Sequence, residues 1–176
     1  NNNKIFTIGC VANFWKIKDQ MTLIKSVKLL KERGKDIFVK FIGSGMTCKE
    51  CKSFVDKNNL NSYIQFSKEI KHERLNNFYN QIDLFVLPSY YEALGCVYLE
   101  SWATNTPFIA VKDQGIEELI PNDFKDRMLI SRSNKSELSE KILGFYNKLS
   151  FYRFDKRYDI RNTIRDFLDQ DIFYDK

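Results

Sequence analysis

Leu84-Phe85-Val86-Leu87-Pro88-Ser89-Tyr90-Tyr91-Glu92-Ala93-Leu94-Gly95-Cys96-Val97-Tyr98-Leu99-Glu100 is the stretch on which the reading of this chain turns. Residues 82–87 form a near-continuous apolar run, as in a strand buried on both faces of a parallel sheet. The run stops at Pro88, a turn carries Glu92, and Gly95 opens a helix expected over residues 95–104. A strand that ends in an acidic turn and a glycine-led helix is half of a βαβ unit.

The same alternation continues outward in both directions. Upstream, residues 4–12 read as a strand, and residues 19–33 place Leu23, Val27 and Leu30 at helical spacing before Gly34. Residues 37–42 form a second strand ending in Gly43-Ser44-Gly45, followed by a helix over 46–57, a strand over 63–66 and a helix over 72–80. Downstream come a strand over 108–111, a short helix over 115–120 closed by Pro121, a strand over 127–130 and a helix over 137–149. This is the pattern of an α/β, doubly wound parallel sheet, Rossmann-like, of about six strands with helices on both faces. Residues 1–176 read as a single domain, with 151–176 as a C-terminal helical tail. Any ligand is expected at the carboxyl ends of the strands, near the switch point of the sheet.

Composition narrows the class. Of 176 residues, 43% are hydrophobic and 29% charged, which excludes a disordered chain and allows a sizeable core. The net charge of +5 is too small and too dispersed for a dedicated nucleic-acid binder. Four cysteines at this length are no disulfide framework, and no secretory leader or bilayer-length apolar run is present. These features read as soluble and cytoplasmic. Cys48 and Cys51 have zinc-like spacing, but a site needs two more ligands and His72 is the only histidine; no metal is expected. The pair is placed on an exposed helix start, and His72 at a solvated one.

The chemistry is sought in the loops that follow strands. Free backbone N–H groups of Leu94, Gly95 and Cys96 at a helix N-terminus favour an anion such as a diphosphate. Glu92 lies ahead of that helix, and Glu100 about one and a half turns into it. Two carboxylates flanking an anion site match the hydroxyl groups on either side of a nucleotide diphosphate sugar. The plainer reading stays open: Glu92 caps the helix and Glu100 is a solvated face residue. Lys18, with Lys16 before it, can reach a phosphate from the loop after the first strand, or sit solvated there. Gly43 and Gly45 allow a ligand close to the backbone, or simply end a strand.

Several motifs in register resemble one family. Leu87-Pro88-Ser89, Glu92-Ala93-Leu94-Gly95, Leu99-Glu100-Ser101-Trp102-Ala103 and Thr106-Pro107-Phe108-Ile109-Ala110 are similar to the signature of the glycosyltransferase group 1 family (glycosyltransferase family 4), LPS-x-x-E-G-F-G…L-E-A-M-A-x-G-x-P-V-I-A. Lys18-Asp19…Leu23-Ile24, Phe41-Ile42-Gly43-Ser44-Gly45 and Gln114-Gly115-Ile116-Glu117-Glu118-Leu119-Ile120 resemble its K-G…L-I, I-V-G-x-G and G-G-x-x-E-L-I elements. The resemblance implies the C-terminal, donor-binding half of a GT-B fold, whose N-terminal acceptor domain this chain lacks.

It further implies that Glu92 sits by the donor sugar, Glu100 holds the ribose hydroxyls, and Lys18 contacts the diphosphate together with the head of the Gly95 helix. Glu118 takes the place of the motif glutamate, near the phosphates or the loop backbone. The implied enzyme is retaining and needs neither metal nor cofactor; its donor is a UDP- or GDP-sugar, and its acceptor a glycan or lipid-linked molecule of surface polysaccharide or glycoconjugate synthesis. The isolated domain is expected to be inactive. Three positions depart from the pattern. Asn13 replaces a clamp arginine, a role open to Lys16; Gln114 replaces a loop glycine, with consequences for the sugar pocket; Asn105 replaces a helix-end glycine and tolerates the same backbone.

Other readings remain: a nucleotide-sugar epimerase of the same fold, or a non-catalytic ligand-binding α/β module. The tail interleaves Arg153, Lys156, Arg157 and Arg161 with Phe151, Tyr152, Phe154 and Tyr158. This suits packing on the domain and leaves room for peripheral association at the inner face of the membrane; no nucleic-acid partner is expected.

Overall fold

The computed structural model describes residues 5–153. Six strands, β1 (Phe6–Val11), β2 (Ile37–Ile42), β3 (Ile64–Ser67), β4 (Leu84–Val86), β5 (Phe108–Val111) and β6 (Leu129–Ile130), form one sheet in the order β3-β2-β1-β4-β5-β6. Every pairing is parallel, with Phe6 opposite Ile37 and Ile8 opposite both Val39 and Leu84. Between them run α1 (Gln20–Glu32), α2 (Cys48–Lys57), α3 (Leu75–Asn80), α4 (Cys96–Ala103), α5 (Ile116–Leu119) and α6 (Asn122–Met128), and α7 (Lys135–Arg153) follows β6. Short 3-10 turns at Lys16–Lys18 and His72–Arg74 lead into α1 and α3.

The core follows from the two periodicities. Leu23, Ile24, Val27 and Leu30 of α1 are buried on one helical face, and Leu84, Phe85 and Val86 are buried on both faces of the sheet. An aromatic cluster fastens α4 to the sheet: Tyr98 lies 5.9 Å from Phe85 and 5.1 Å from Phe108, and Trp102 lies 5.5 Å from Phe108, centroid to centroid. The chain winds outward from β1 to β3, then returns to place β4 on the other side of β1. The switch point therefore lies between the carboxyl ends of β1 and β4, where loops diverge and leave a crevice.

Four expectations are corrected. Residues 127–128 belong to α6 rather than to the last strand, because Phe124 and Met128, four apart, both bury against the core. Strand β4 is shorter than the apolar run, although Leu87 still donates to Ile109 at 3.3 Å. Cys51 is not on an exposed helix start: α2 turns it and Val55 inward, at 2% and 1% exposure. Helix α7 starts two residues ahead of the expected range, where the side chain of Asn134 accepts the Glu137 N–H at 3.0 Å. The basic and aromatic tail past Arg153 lies outside the described residues. Among the described residues no helix is long and apolar enough to cross a membrane.

Candidate functional site

The loops that follow β1, β2, β3 and β4 build the crevice. Those leaving β1 and β2 are zipped together: Ala12 N–H donates to Ile42 at 3.1 Å, Phe14 to Ser44 at 2.7 Å, and Thr47 back to Phe14 at 3.0 Å. Gly43 and Gly45 have φ of 142° and 145°. A Cβ at Gly45 would stand 2.6 Å from the Phe14 carbonyl, and one at Gly43 would collide with that of Ala12. The glycines thus serve the approach of one loop to the other; Gly43 also lines the crevice, whereas Gly45 does not.

The β4 loop docks on the β1 loop through Ile17, whose carbonyl accepts from Tyr90 N–H at 3.1 Å and from the Ser89 hydroxyl at 3.2 Å. Lys18, next in the 3-10 turn, reaches across to Glu92, Nζ to Oε1 2.5 Å. Both side chains are largely withdrawn from solvent, 25% and 13% exposed. Glu92 N–H donates to the side-chain oxygen of Gln114 at 2.6 Å, and the Gln114 amide nitrogen donates to Lys112 at 3.3 Å and Tyr90 at 3.5 Å. A glutamine thus ties the β5 loop to the Glu92 loop, and its amide is spent on backbone. Gly115 follows because a Cβ there would strike the Ala93 carbonyl.

Gly95 precedes α4 at φ 73°, with the Tyr98 ring directly beneath it. The Tyr98 hydroxyl, fully buried, donates to the Leu87 carbonyl at 2.7 Å and fixes the head of α4 over the end of β4. The first N–H groups of the helix have no intrahelical partner and form its positive end. Gly95 and Cys96 face a cleft of about 310 Å³ that Asn13, Lys18, Gly43 and Glu92 also line. Leu94, 36% exposed, is not among the residues that line it.

Glu100 borders an adjoining cleft of about 220 Å³, which shares Leu75 with the first. Its Oε2 accepts the Tyr79 hydroxyl at 2.9 Å, and its Oε1 lies 4.0 Å from Nδ1 of His72. Burial, and then the Glu100 charge, push the Tyr79 phenol above its ordinary range. Lys16 and Glu118 are exposed and line neither cleft; Glu117, not Glu118, holds the loop backbone, accepting Asp113 N–H at 2.7 Å. Sequence reasoning missed Tyr79, and also Glu69, Ile70 and Leu75, which close the larger cleft from the β3–α3 segment. That segment carries no residue pattern of its own, and only its place after a strand marks it. Among the described residues no three His, Cys, Asp or Glu side chains gather as metal ligands.

A family model described as glycosyl transferases group 1 matches residues 1–164. The chain belongs to that family. Within it, this group 1 domain is 33% identical over 125 residues to the uncharacterized glycosyltransferase MJ1178 of Methanocaldococcus jannaschii, covering 70% of this chain and 35% of that protein. It is 25% identical over 148 residues to the capsular polysaccharide biosynthesis glycosyltransferase CapM of Staphylococcus aureus, covering 82% and 38%. The chain thus spans little more than a third of either relative. The crystal structure of Anabaena Alr3699/HepE in complex with UDP and glucose has the same fold, with TM-score 0.75 and 16% identity, over 94% of this chain and 47% of that one.

Proposed function

We propose that this group 1 domain binds the nucleotide diphosphate sugar donor of a retaining glycosyltransferase, with a UDP- or GDP-sugar in the β1/β4 crevice. The observation that carries the reading is the Lys18–Glu92 pair beneath the open head of α4: a cation, a carboxylate and free N–H groups converge in one cleft. Cleavage of the anomeric bond sends the electron pair to the diphosphate and leaves positive character on the sugar. Lys18 and the positive end of α4 stabilise the first, and Glu92 orients the second. Glu100 takes ribose hydroxyls from the adjoining cleft.

No base comes from this half of the enzyme. The acceptor is bound by an N-terminal GT-B domain, so the isolated domain is inactive; that the chain covers 47% of the HepE structure supports a two-part protein. The CapM relationship supports a role in surface polysaccharide or glycoconjugate synthesis; we place that role in the cytoplasm, at the inner face of the membrane. We further propose that transfer needs no metal. The test is calorimetric titration of the intact protein with UDP, GDP and ADP in EDTA, repeated on Glu100→Ala. Saturable binding of one nucleotide, weakened by the substitution, is the expected result; failure of all three to bind would overturn the reading.

A further inference from the structure

We propose that Tyr79 is a positioning residue for the Glu100 carboxylate, and that its hydroxyl gives the site a preference for ribonucleotides over 2′-deoxyribonucleotides. The inference rests on the donor reading above, in which Glu100 meets the ribose.

Glu100 is the fifth residue of α4 and its side chain is 28% exposed. The terminal torsion of a glutamate is broad, so a carboxylate in this setting swings unless something holds it. Tyr79 is that holder. Only 1% exposed, it packs its ring edge-on to Phe85 at 5.6 Å, and its carbonyl accepts the Thr106 hydroxyl at 2.9 Å. The phenol is therefore fixed by ring and backbone alike, and it donates to one oxygen alone, Oε2, at 2.9 Å. Oε1 points the other way, towards His72 at the mouth of the adjoining cleft.

A carboxylate accepts at about four lone-pair positions, and Tyr79 occupies one of them. Oε1 and the second lone pair of Oε2 are then held in one plane, side by side, which is what a vicinal 2′,3′-diol requires. A 2′-deoxyribose leaves one acceptor unpaired, and a site built to hydrogen-bond a hydroxyl rejects the analogue that lacks it. With the carboxylate free to rotate, that penalty disappears, since it can turn to the remaining hydroxyl or to water.

The experiment compares UDP with 2′-deoxy-UDP, or GDP with 2′-deoxy-GDP if guanine is the base bound, by calorimetry on the intact protein and on Tyr79→Phe. Phenylalanine keeps the ring packing, and water can replace the lost donor at the partly exposed carboxylate, so the variant is expected to fold; thermal unfolding checks this. The ribonucleotide should weaken about five- to tenfold while the deoxynucleotide changes less than about twofold, contracting the ratio between them. An unchanged ratio, or equal loss of both ligands, overturns the proposal. Glu100→Ala separates the two levels. If it contracts the ratio and Tyr79→Phe does not, only this inference fails; if it leaves affinity and ratio intact, the placement of ribose at Glu100 fails and takes the inference with it.

Discussion

Lys18 and Glu92 stand 74 residues apart in sequence and meet at 2.5 Å across the switch point, one from the loop after β1 and the other from the loop after β4. The pair neutralises Lys18, which lines the cleft, and engages the Glu92 carboxylate that lines it too. A bound diphosphate offers Lys18 a second anion and, on the reading proposed above, releases Glu92 to face the sugar.

That exchange separates the two residues experimentally. Lys18→Ala should weaken nucleoside diphosphate binding about tenfold, or ~1.4 kcal/mol, by removing a charge-assisted contact. Glu92→Gln should leave binding unchanged or tighter, since the lysine no longer has a competing partner, while transfer by the intact enzyme falls by about two orders of magnitude. Calorimetry and turnover on both variants test this; equal loss of binding in the two would show that the pair acts as one binding unit instead. Because both side chains are largely withdrawn from solvent, removing either partner should also cost about 1–3 kcal/mol of stability.

Gly115 and Gly144 predict opposite outcomes for the same substitution. A methyl group at Gly115 meets the Ala93 backbone, which cannot yield without moving the Glu92 loop. Gly115→Ala should cost about 1–3 kcal/mol and reduce nucleotide affinity with it. At Gly144, exposed inside α7, a Cβ meets nothing within 4 Å, so Gly144→Ala should stabilise by about 0.5–1 kcal/mol. Urea unfolding of both variants decides; a neutral Gly115→Ala would mean that the Gln114-Gly115 loop does not hold the Glu92 loop.

Most of the fold was legible because local pattern and tertiary placement agree. The run through Leu84, Phe85 and Val86 could only be a doubly buried strand, and Gly95 could only lead a helix there. Helix α6 was hidden because its seven residues carry just two apolar anchors, Phe124 and Met128, too few to set a period against the neighbouring strand pattern. Lys18, Glu92 and the head of α4 were legible as residues following strands, but their contact across 74 residues was not, since spacing says nothing of which side chains meet. Gln114 shows the limit most clearly. Read from sequence it altered the sugar pocket, whereas in the structure its amide is engaged by three backbone groups of two loops. Tyr79 had no signal at all, because a buried tyrosine in an apolar helix face looks like core until its hydroxyl finds a carboxylate.

The four cysteines divide by environment. Cys96 is exposed at the mouth of the cleft, Cys48 is half-buried, and Cys10 and Cys51 are buried. At pH 8 a thiol reagent should modify Cys96 first and reach Cys10 and Cys51 only on unfolding, and bound nucleotide should protect Cys96. The Cys51 thiol is pushed from 9.0 to about 12, by burial first and then by Cys48, Glu50 and Asp19. Between those values the folded state keeps a proton that the unfolded chain has lost, so stability is full below about pH 9 and falls as pH rises beyond it. Denaturation at a series of alkaline pH values, with Cys51→Ala flattening part of the slope, tests the assignment; an unprotected Cys96 would place the nucleotide elsewhere.

The hydroxyl of Tyr98 links the core to the cleft. It is buried, its phenol is held well above the ordinary range by burial and then by the Glu92 charge, and it donates to Leu87 at the end of β4. Tyr98→Phe keeps the ring contacts with Phe85 and Phe108 and leaves the Leu87 carbonyl without its donor, at a cost of about 1–3 kcal/mol. In urea the midpoint should fall with the slope unchanged, since the surface exposed on unfolding is the same. Because this ring lies under Gly95, the head of α4 loses one of its two anchors to the strand, and nucleotide affinity should drop a few-fold alongside stability. Loss of stability with affinity intact would show that Gly95 and the aromatic packing alone hold the anion site in place.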